Sequence, residues 1–354
     1  MQDLTQVPMS LFTPEVDWSP PSDLPELSNY QEVAIDLETH DPLLLSHGPS
    51  WAFADTGHVT GIAVATKDFS YYFPIGHKGG GNLDEGLIKR WLTKQLSYNN
   101  DKIFHNSLYD LGWLKRMGIE VNGKVHDTMF AAPLIDENQY GYSLNKLGER
   151  YVGEVKDESL LKEAASAYGL DPKKDMWKLP AKYVGVYAEQ DAALTLKLWE
   201  IFKELLRLEN VEAIYELETS LIPILLEMRY KGVPVDLDKA EKVGKQLKKE
   251  EVNILTNIKK EHGVYPDLWA AASVATVFDR AGLSYPRSPK LNAPSFTSAW
   301  LESHDSKLAK DIGRARKLNK ARTTFIDKMI LEHSVNGRIH GELHPLRSDT
   351  GGTV

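Results

Sequence analysis

Three short acidic motifs occur in order along the first two hundred residues. They are Asp36-Leu37-Glu38, Asn106-x-x-x-Asp110 and Tyr187-x-x-x-Asp191. Carboxylates placed close together repel one another unless a cation lies between them, and hard oxygen ligands of this kind favour Mg²⁺ or Mn²⁺. Each motif alone is also typical of an ordinary surface or core position. The three together indicate a hydrolytic site with two divalent cations.

The elements that carry these motifs can be predicted from their flanks. The apolar run Val33-Ala34-Ile35 predicts a buried strand over residues 32–37. In a strand, side chains two residues apart point to the same face, so the two carboxylates of the first motif project together. The other two motifs have the i, i+4 spacing that puts both side chains on one face of a helix. Both are flanked by apolar residues, and a carboxylate there is costly unless it is paired or metal-bound.

The rest of the pattern predicts an α/β domain followed by a mainly helical region. Residues 59–66 and 69–75 predict a hairpin, 102–105 predicts another strand, and a capping box at Asn82 and Glu85 predicts the start of a helix. Strands become scarce in the second half, and the composition shifts near residue 205. We predict an irregular lead-in over 1–30, an α/β domain over 31–205 and a helical region over 206–354.

The composition is that of an ordinary globular protein of 354 residues, with 42% hydrophobic and 26% charged residues. The absence of cysteine excludes disulfides and thiolate metal sites. With no long apolar run and no signal peptide, we predict a cytoplasmic protein with no membrane partner. The net charge of -8 argues mildly against a nucleic-acid partner, although a basic stretch lies between Lys310 and Arg322.

The segments IDLET, HNSLYDLGWL and YAEQDAALTLKLW carry the three motifs. They resemble the exonuclease motifs of the DEDD superfamily, in the subclass with tyrosine in the third motif. Intervening segments such as YYFPIGH and VHDTMFAAPLIDE resemble the corresponding parts of family A DNA polymerases, so the resemblance covers about residues 30–205. It implies a ribonuclease H-like fold, with a mixed sheet flanked by helices, and 3′→5′ exonuclease activity.

The resemblance also implies a role for each acid. Asp36, Glu38 and Asp191 would ligate one divalent cation. Asp36 would bridge to a second cation, which Asp110 would support through water. Tyr187 would orient the attacking water.

The same resemblance also implies positions for three further residues near the site. Thr39 and Asn106 would lie beside the terminal nucleotide. Asp127 would either buttress the site or act as an ordinary N-cap for the helix that follows it, and the sequence leaves both interpretations open.

The second half of the chain resembles the start of the polymerase domain in the same family. LETSLIPILLEMRYKGVPVDLDKAEKV resembles its opening segment, and ARKLNKARTTFIDKMI resembles the thumb, which grips duplex primer–template. Basic side chains there could neutralise phosphates, although a charge run is also typical of a solvated helix. The residues that we predict to contact DNA are Arg316, Lys317, Lys320 and Arg322.

The segment 337–354 resembles the strand before the polymerase palm, and the three polymerase motifs do not occur. As given, the chain should therefore have no nucleotidyl-transfer site. We predict a proofreading-type 3′→5′ exodeoxyribonuclease that acts on single-stranded DNA as part of a replicative polymerase. Two alternatives stay open. One is a ribonuclease D-like exoribonuclease, and the other is a DNA-binding or assembly half that docks on a separate palm-containing polymerase chain.

Overall fold

The computed structural model describes residues 13–139 and 141–343, which form two compact units. The first unit contains the described residues up to Lys231 together with 340–343, and the second unit is Gly232–Ile339. Residues 13–31 form no helix or strand. The rest of that lead-in and part of the predicted segment 337–354 lie outside the described residues.

The first unit has a mixed α/β structure. Its strands are β1 (Glu32–His40), β2 (His58–Ala65), β3 (Ser70–Pro74), β4 (Asp101–Phe104) and β5 (Val125–Asp127). Its α-helices are α1 (Leu44–His47), α2 (Glu85–Leu96), α3 (Ser107–Arg116), α4 (Thr128–Ile135), α5 (Leu144–Leu147), α6 (Ser159–Ala167), α7 (Gly185–Leu208) and α8 (Glu212–Lys231). A π-helical turn, Gly148–Val152, extends α5, and short 3₁₀ turns are found at Ser50–Ala52, Met176–Lys178 and Ala181–Tyr183.

The five strands form one mixed sheet in the order β3-β2-β1-β4-β5. β1 is antiparallel to β2 and parallel to β4, and β4 is parallel to β5. β1 is therefore central, and Val33, Ala34 and Ile35 are fully buried because both faces of the sheet are covered. This architecture confirms the predicted fold class. Sequence patterns do not predict β5, because its three residues are too few to show alternation.

The pairing of β1 with β2 shifts register between Glu38 and Thr39. Such a bulge re-aims nearby side chains and is common beside active sites. Gly61 lies opposite Glu38, and an added Cβ there would lie 2.1 Å from the Tyr72 hydroxyl. Only glycine leaves room for the Tyr72 ring to cover the sheet next to the acidic strand.

Helix α7 carries the third motif and packs across β1, β2 and β3. The small buried residues Ala188 and Ala192 let the helix approach the sheet closely. Glu189 fixes the first turns of the helix. Its carboxylate accepts hydrogen bonds from the Trp18 ring nitrogen at 3.0 Å and from the backbone N–H of Tyr72 at 3.1 Å.

Helix α2 begins differently from the prediction. Its N-cap is Asp84, whose carboxylate accepts a hydrogen bond from the N–H of Leu87 at 2.6 Å. The side chain of Asn82 instead accepts from the backbone N–H of His77 at 2.8 Å and donates to its carbonyl at 2.7 Å. The prediction of a capping box at Asn82 and Glu85 is wrong, because the Asn82 amide is already satisfied by the preceding loop.

The second unit is mainly helical, as predicted for this part of the chain. Its helices are α9 (Leu237–His262), α10 (Ala271–Arg280), α11 (Ser298–Ser303) and α12 (Lys307–Lys320), which continues as a π-helical segment, Ala321–Glu332. Its short strands are β6 (Val233–Pro234), β7 (Ser334–Val335) and β8 (Arg338–Ile339), paired in the order β6-β8-β7. Leu255, Phe278 and Ile312 belong to a core of its own.

The predicted domain limits at residues 205 and 206 fall inside α7, which continues without a break to Leu208. The compact units divide instead after Lys231. The limits 31–205 and 206–354 therefore stay a prediction about evolutionary domains. Among the described residues, the helices are all too short or too polar to cross a membrane.

Candidate active site

Three of the predicted acids lie together where β1 meets α7. Asp36 and Glu38 project from one face of β1, and Asp191 projects from α7. One carboxylate oxygen from each residue lies within 4.8 Å of the other two. Glu38 and Asp191 are buried, whereas Asp36 is partly exposed. The structure thus brings the first and third motifs into one acidic cluster.

Asp110, the fourth predicted acid, lies beside this cluster on α3. Its carboxylate accepts a hydrogen bond at 3.1 Å from the backbone N–H of Leu37, the residue between the two acids of β1. Burial, followed by the charge of Asp36, raises the pKa of Asp110 well above its ordinary value. The charge of Asp36 therefore acts on the carboxylate of Asp110, while one oxygen of Asp110 is directed to the β1 backbone.

The electrostatics of the cluster favour a bound cation. Burial, together with the charge of Asp191, raises the pKa of Asp36 to about 7. Burial and the charge of Asp36 raise the pKa of Glu38 well above its usual range. Crowded carboxylates of this kind become stable in the ionised form when a cation neutralises them. All three residues offer carboxylate oxygens, a donor set that fits Mg²⁺ or Mn²⁺.

Tyr187 lies one helical turn before Asp191 on α7, and a lysine contacts both. The Nζ atom of Lys156 lies 2.7 Å and 2.6 Å from the two carboxylate oxygens of Asp191. The same Nζ donates to the Tyr187 hydroxyl at 3.3 Å and lies 4.7 Å from the centroid of its ring. The sequence gives no signal for Lys156, because a lysine in a charged loop is ordinary.

Asp127 fulfils both of the roles that the sequence left open. Its carboxylate caps α4 by accepting from the N–H groups of Met129 at 2.8 Å and Phe130 at 3.3 Å. It also accepts from Asn106 at 3.1 Å and Ser107 at 2.7 Å, at the start of α3. One fully buried carboxylate therefore joins the first turns of two helices, one of which carries the second motif.

A cavity of about 840 Å³ opens beside Glu38 and is lined by both of the residues predicted to lie near a terminal nucleotide. The hydroxyl of Thr39 lies 2.6 Å from that of Tyr109, which also lines the cavity. Asn106 adopts a left-handed backbone conformation, with φ of 70°, that asparagine tolerates better than most residues. Further lining residues are Leu108, Met129, Phe130, Tyr142 and Met176.

The basic residues predicted to contact DNA divide into two groups. Arg316 donates to the carbonyls of Leu268 at 2.7 Å and Phe296 at 2.6 Å. Arg322 pairs with Asp327 and, at 3.8 Å, with the buried Glu251.

Both guanidinium groups therefore bind groups of their own unit, which the sequence does not reveal. The other two basic residues, Lys317 and Lys320, are exposed, and Lys317 forms a surface ion pair with Glu302 at 2.7 Å. Such an exposed pair contributes little to stability and can open to bind a phosphate. Contact of these four residues with DNA stays a prediction. The two exposed lysines are better placed for it than the two arginines, whose guanidinium groups are already bound.

A mixed five-stranded sheet flanked by helices, with acids on its central strand and on a helix packed across it, is the architecture of the ribonuclease H-like fold. A sequence model described as 3′-5′ exonuclease, from the family A DNA polymerases, matches residues 24–207. The chain belongs to this 3′-5′ exonuclease family. It therefore contains the exonuclease domain of a family A DNA polymerase, which confirms the resemblance seen in the motifs.

Curated relatives match beyond the exonuclease domain. A DNA-directed DNA polymerase of Pseudomonas phage M6 is 36% identical over 349 residues, which cover 96% of this chain and 52% of that protein. DNA polymerase DpoZ of Acinetobacter phage SH-Ab 15497 is 26% identical over 92% of this chain and 53% of its own length. The chain thus spans about half the length of these phage relatives.

A more distant relative and a solved structure that match this chain are also DNA polymerases. A DNA polymerase I of Chloroflexus aurantiacus is 26% identical over 87% of this chain and 34% of its own length. Among solved structures, the polymerase domain of Pol1 from M. smegmatis, in complex with DNA primer-template and dNTP, superposes with a TM-score of 0.68. The match covers 91% of this chain and 50% of that one at 18% identity, so it shows a shared fold.

Proposed function

We propose that this chain removes mononucleotides from the 3′ end of single-stranded DNA by metal-dependent hydrolysis, as the proofreading part of a replicative DNA polymerase. The observation that carries the proposal is the cluster of Asp36, Glu38 and Asp191, whose oxygens lie within 4.8 Å of one another. Asp110 lies against the same strand through its bond to Leu37. These acids and Tyr187 make up the DEDD set with tyrosine in its third motif.

The residues present fit two divalent cations, Mg²⁺ or Mn²⁺. Asp36, Glu38 and Asp191 would hold one of them, and Asp36 with Asp110 would hold the second. Two such cations supply activation of water and stabilisation of the attacking and leaving oxygens of a phosphodiester.

The protein side chains position the substrate. The cavity beside Glu38 would receive the terminal nucleotide, with Thr39 and Asn106 at its polar edge. Its aromatic and apolar wall, which includes the partly exposed Leu108 and Tyr142, would stack the base. Stacking of this kind tolerates any base, because every base has a π-face. Digestion should therefore show little sequence preference.

The direct test compares 5′-labelled single-stranded DNA and RNA of the same sequence in the presence of Mg²⁺. We expect the DNA to shorten one nucleotide at a time from its 3′ end, and EDTA to stop the reaction. A ribonuclease D-like enzyme would contain the same acids and tyrosine, so clear preference for RNA would reverse the assignment. Cleavage from the 5′ end or within the strand would also contradict it.

The substitution Tyr187→Phe should lower the rate of DNA hydrolysis by about 10- to 100-fold, a smaller loss than removal of the acids should cause. The hydroxyl would orient the attacking water but would hold no cation, so Mn²⁺ should bind at least as tightly as it does to the wild type. Single-turnover digestion and Mn²⁺ titration measure the two effects. The control is Tyr71→Phe, on the exposed side of β3, which should change neither. A wild-type rate for Tyr187→Phe would remove this tyrosine from the site.

A second observation favours an assembly role for α8. Five apolar residues recur at spacings of three and four residues, which is the pattern of one helix face. They are Ile214, Leu217, Leu221, Ile224 and Met228. Four of them are between 50% and 59% exposed, and Leu221 is partly exposed. An exposed stripe of this length is typical of an interaction surface.

We propose that the palm-containing part of the polymerase covers this α8 stripe. The phage relatives that match most of this chain are DNA polymerases of about twice the matched length. In these relatives, the region that matches this chain is therefore joined to a further part of the polymerase. Glutamates at Ile224 and Met228 should weaken binding of this chain to the remaining half of the Pseudomonas phage M6 polymerase by at least about tenfold.

Size-exclusion chromatography and calorimetry measure that binding. Leu87→Glu, at an exposed leucine of α2 outside the α8 stripe, is the matched control and should bind as the wild type does. If the two halves do not bind, if the double variant binds unchanged, or if the stripe instead pairs two copies of this chain, the proposed occupant is wrong. Exonuclease activity should be unaffected in every variant.

A further inference from the structure

Lys156 places a positive charge against one of the three acids of the cluster. Its ammonium contacts both oxygens of Asp191, at 2.6 Å and 2.7 Å, and its side chain is only 8% exposed. It belongs to neither of the flanking helical elements, because the π turn ends at Val152 and α6 begins at Ser159. A compact, flexible ammonium is the side chain best able to act as a point charge in such a place.

The charge of Lys156 acts on the whole cluster and not on Asp191 alone. Its positive charge lowers the pKa of Asp36, of Glu38 and of Asp191, against the larger effect of burial in each case. One ammonium cannot balance the charges of these acids, yet it contacts only Asp191 among them. Lys156 is therefore a partial counter-ion for the cluster, and it lies at the end that belongs to α7.

Lys156 also links the two site residues of α7. The ammonium donates to the Tyr187 hydroxyl at 3.3 Å and to Oδ2 of Asp191 at 2.7 Å. The other oxygen of Asp191, Oδ1, lies 2.6 Å from the ammonium but has no hydrogen-bond partner among the described residues. Since Asp191 is one of the three proposed ligands of the first divalent cation, the lysine and that cation require the same group.

We propose that Lys156 is an internal counter-ion that competes with the divalent cation for Asp191. In the metal-free protein it neutralises the buried carboxylate and fixes the Tyr187 hydroxyl. On metal binding it releases both groups, so the lysine sets how much divalent cation the site requires. The inference rests on the proposed function, because it takes Asp36, Glu38 and Asp191 as the metal site.

Mn²⁺ titration followed by electron paramagnetic resonance tests the competition without any measurement of turnover. Lys156→Met keeps most of the volume of the side chain and removes its charge. We expect the dissociation constant for Mn²⁺ to fall by roughly tenfold or more, because the competing charge is gone. Lys156→Arg keeps a cation and should bind Mn²⁺ no more tightly than the wild type.

Thermal unfolding provides the second measurement. Lys156→Met should be less stable than the wild type in EDTA, because it leaves the buried carboxylates without a counter-ion, and Mn²⁺ should raise its Tm more than that of the wild type. Lys197→Met is the matched control. Lys197 pairs with Glu154 at 2.6 Å on the surface, and its loss should change Mn²⁺ affinity by less than about twofold.

The possible failures are distinguishable. If the wild type binds Mn²⁺ but Lys156→Met binds it equally or more weakly, the counter-ion role is wrong and the proposed nuclease site is untouched. If the wild type binds no Mn²⁺, or binds it independently of Asp36 and Glu38, the proposed metal site itself fails. Circular dichroism confirms that each variant is folded before either conclusion is drawn.

Discussion

Alanine at both Asp36 and Glu38 should lower exonuclease activity by roughly three orders of magnitude or more. The double variant would lose two of the three residues that would hold one cation, and one of the two that would hold the other. Cations of this kind supply several kcal/mol of charge stabilisation, and about 1.4 kcal/mol corresponds to a tenfold change in rate. Release of labelled mononucleotides from single-stranded DNA measures the loss.

The same variant should stay folded. Burial and neighbouring charge raise the pKa of both carboxyls, so their removal relieves a repulsion and should leave the Tm in EDTA unchanged or higher. The control is alanine at the exposed acids Glu120 and Glu137, which removes the same charge from the surface. Undiminished hydrolysis in Asp36→Ala/Glu38→Ala would refute the assignment of the site, whereas loss of fold would point to a structural role.

Alanine at Asp127 should have the largest effect on stability, a loss of about 3 kcal/mol in the free energy of unfolding. Its carboxylate accepts hydrogen bonds from four backbone N–H groups, two at the start of α4 and two at the start of α3. The carboxylate is fully buried, so water would not replace it. Urea unfolding followed by circular dichroism measures the change.

Activity should fall as well in Asp127→Ala, by about tenfold or more in conditions where the variant is folded. The substitution removes the hydrogen bond that holds the backbone of Asn106 at the edge of the cavity. It also loosens the start of α3, the helix that carries Asp110. Small displacements of positioning groups cost a large part of the rate. The matched control is Asp84→Ala at the exposed N-cap of α2, which should cost about 1 kcal/mol and no activity. Equal effects in the two variants would show that Asp127 is an ordinary cap.

Much of the first unit follows from local patterns. The buried strand β1 and the hairpin of β2 and β3 are predictable, because β1 contains a continuous apolar run and the hairpin is rich in β-branched and aromatic residues. The start of α2 is not predictable in this way, since Asn82 and Asp84 are both good caps and the contact with His77 decides between them. The three residues of β5 are too few for a pattern, and they are a strand because β4 lies beside them.

The sequence by itself indicated the candidate acids and tyrosine, because the first and third motifs have the spacing of a strand face and of a helix face, and the resemblance to family A polymerases joined the three motifs in one site. The i, i+4 prediction for the second motif is wrong, because Asn106 precedes α3 in a left-handed conformation and only Asp110 lies on the helix. The tertiary structure alone decided the partners of those groups. The carboxylate of Asp110 accepts a hydrogen bond from the N–H of Leu37, and that of Asp127 binds the first turns of α3 and α4. The ammonium of Lys156 donates to Asp191, which lies 35 residues further along the chain. The physical reason is that local spacing sets the direction of a side chain relative to its own element. Which charge or N–H group it meets depends on how distant segments pack.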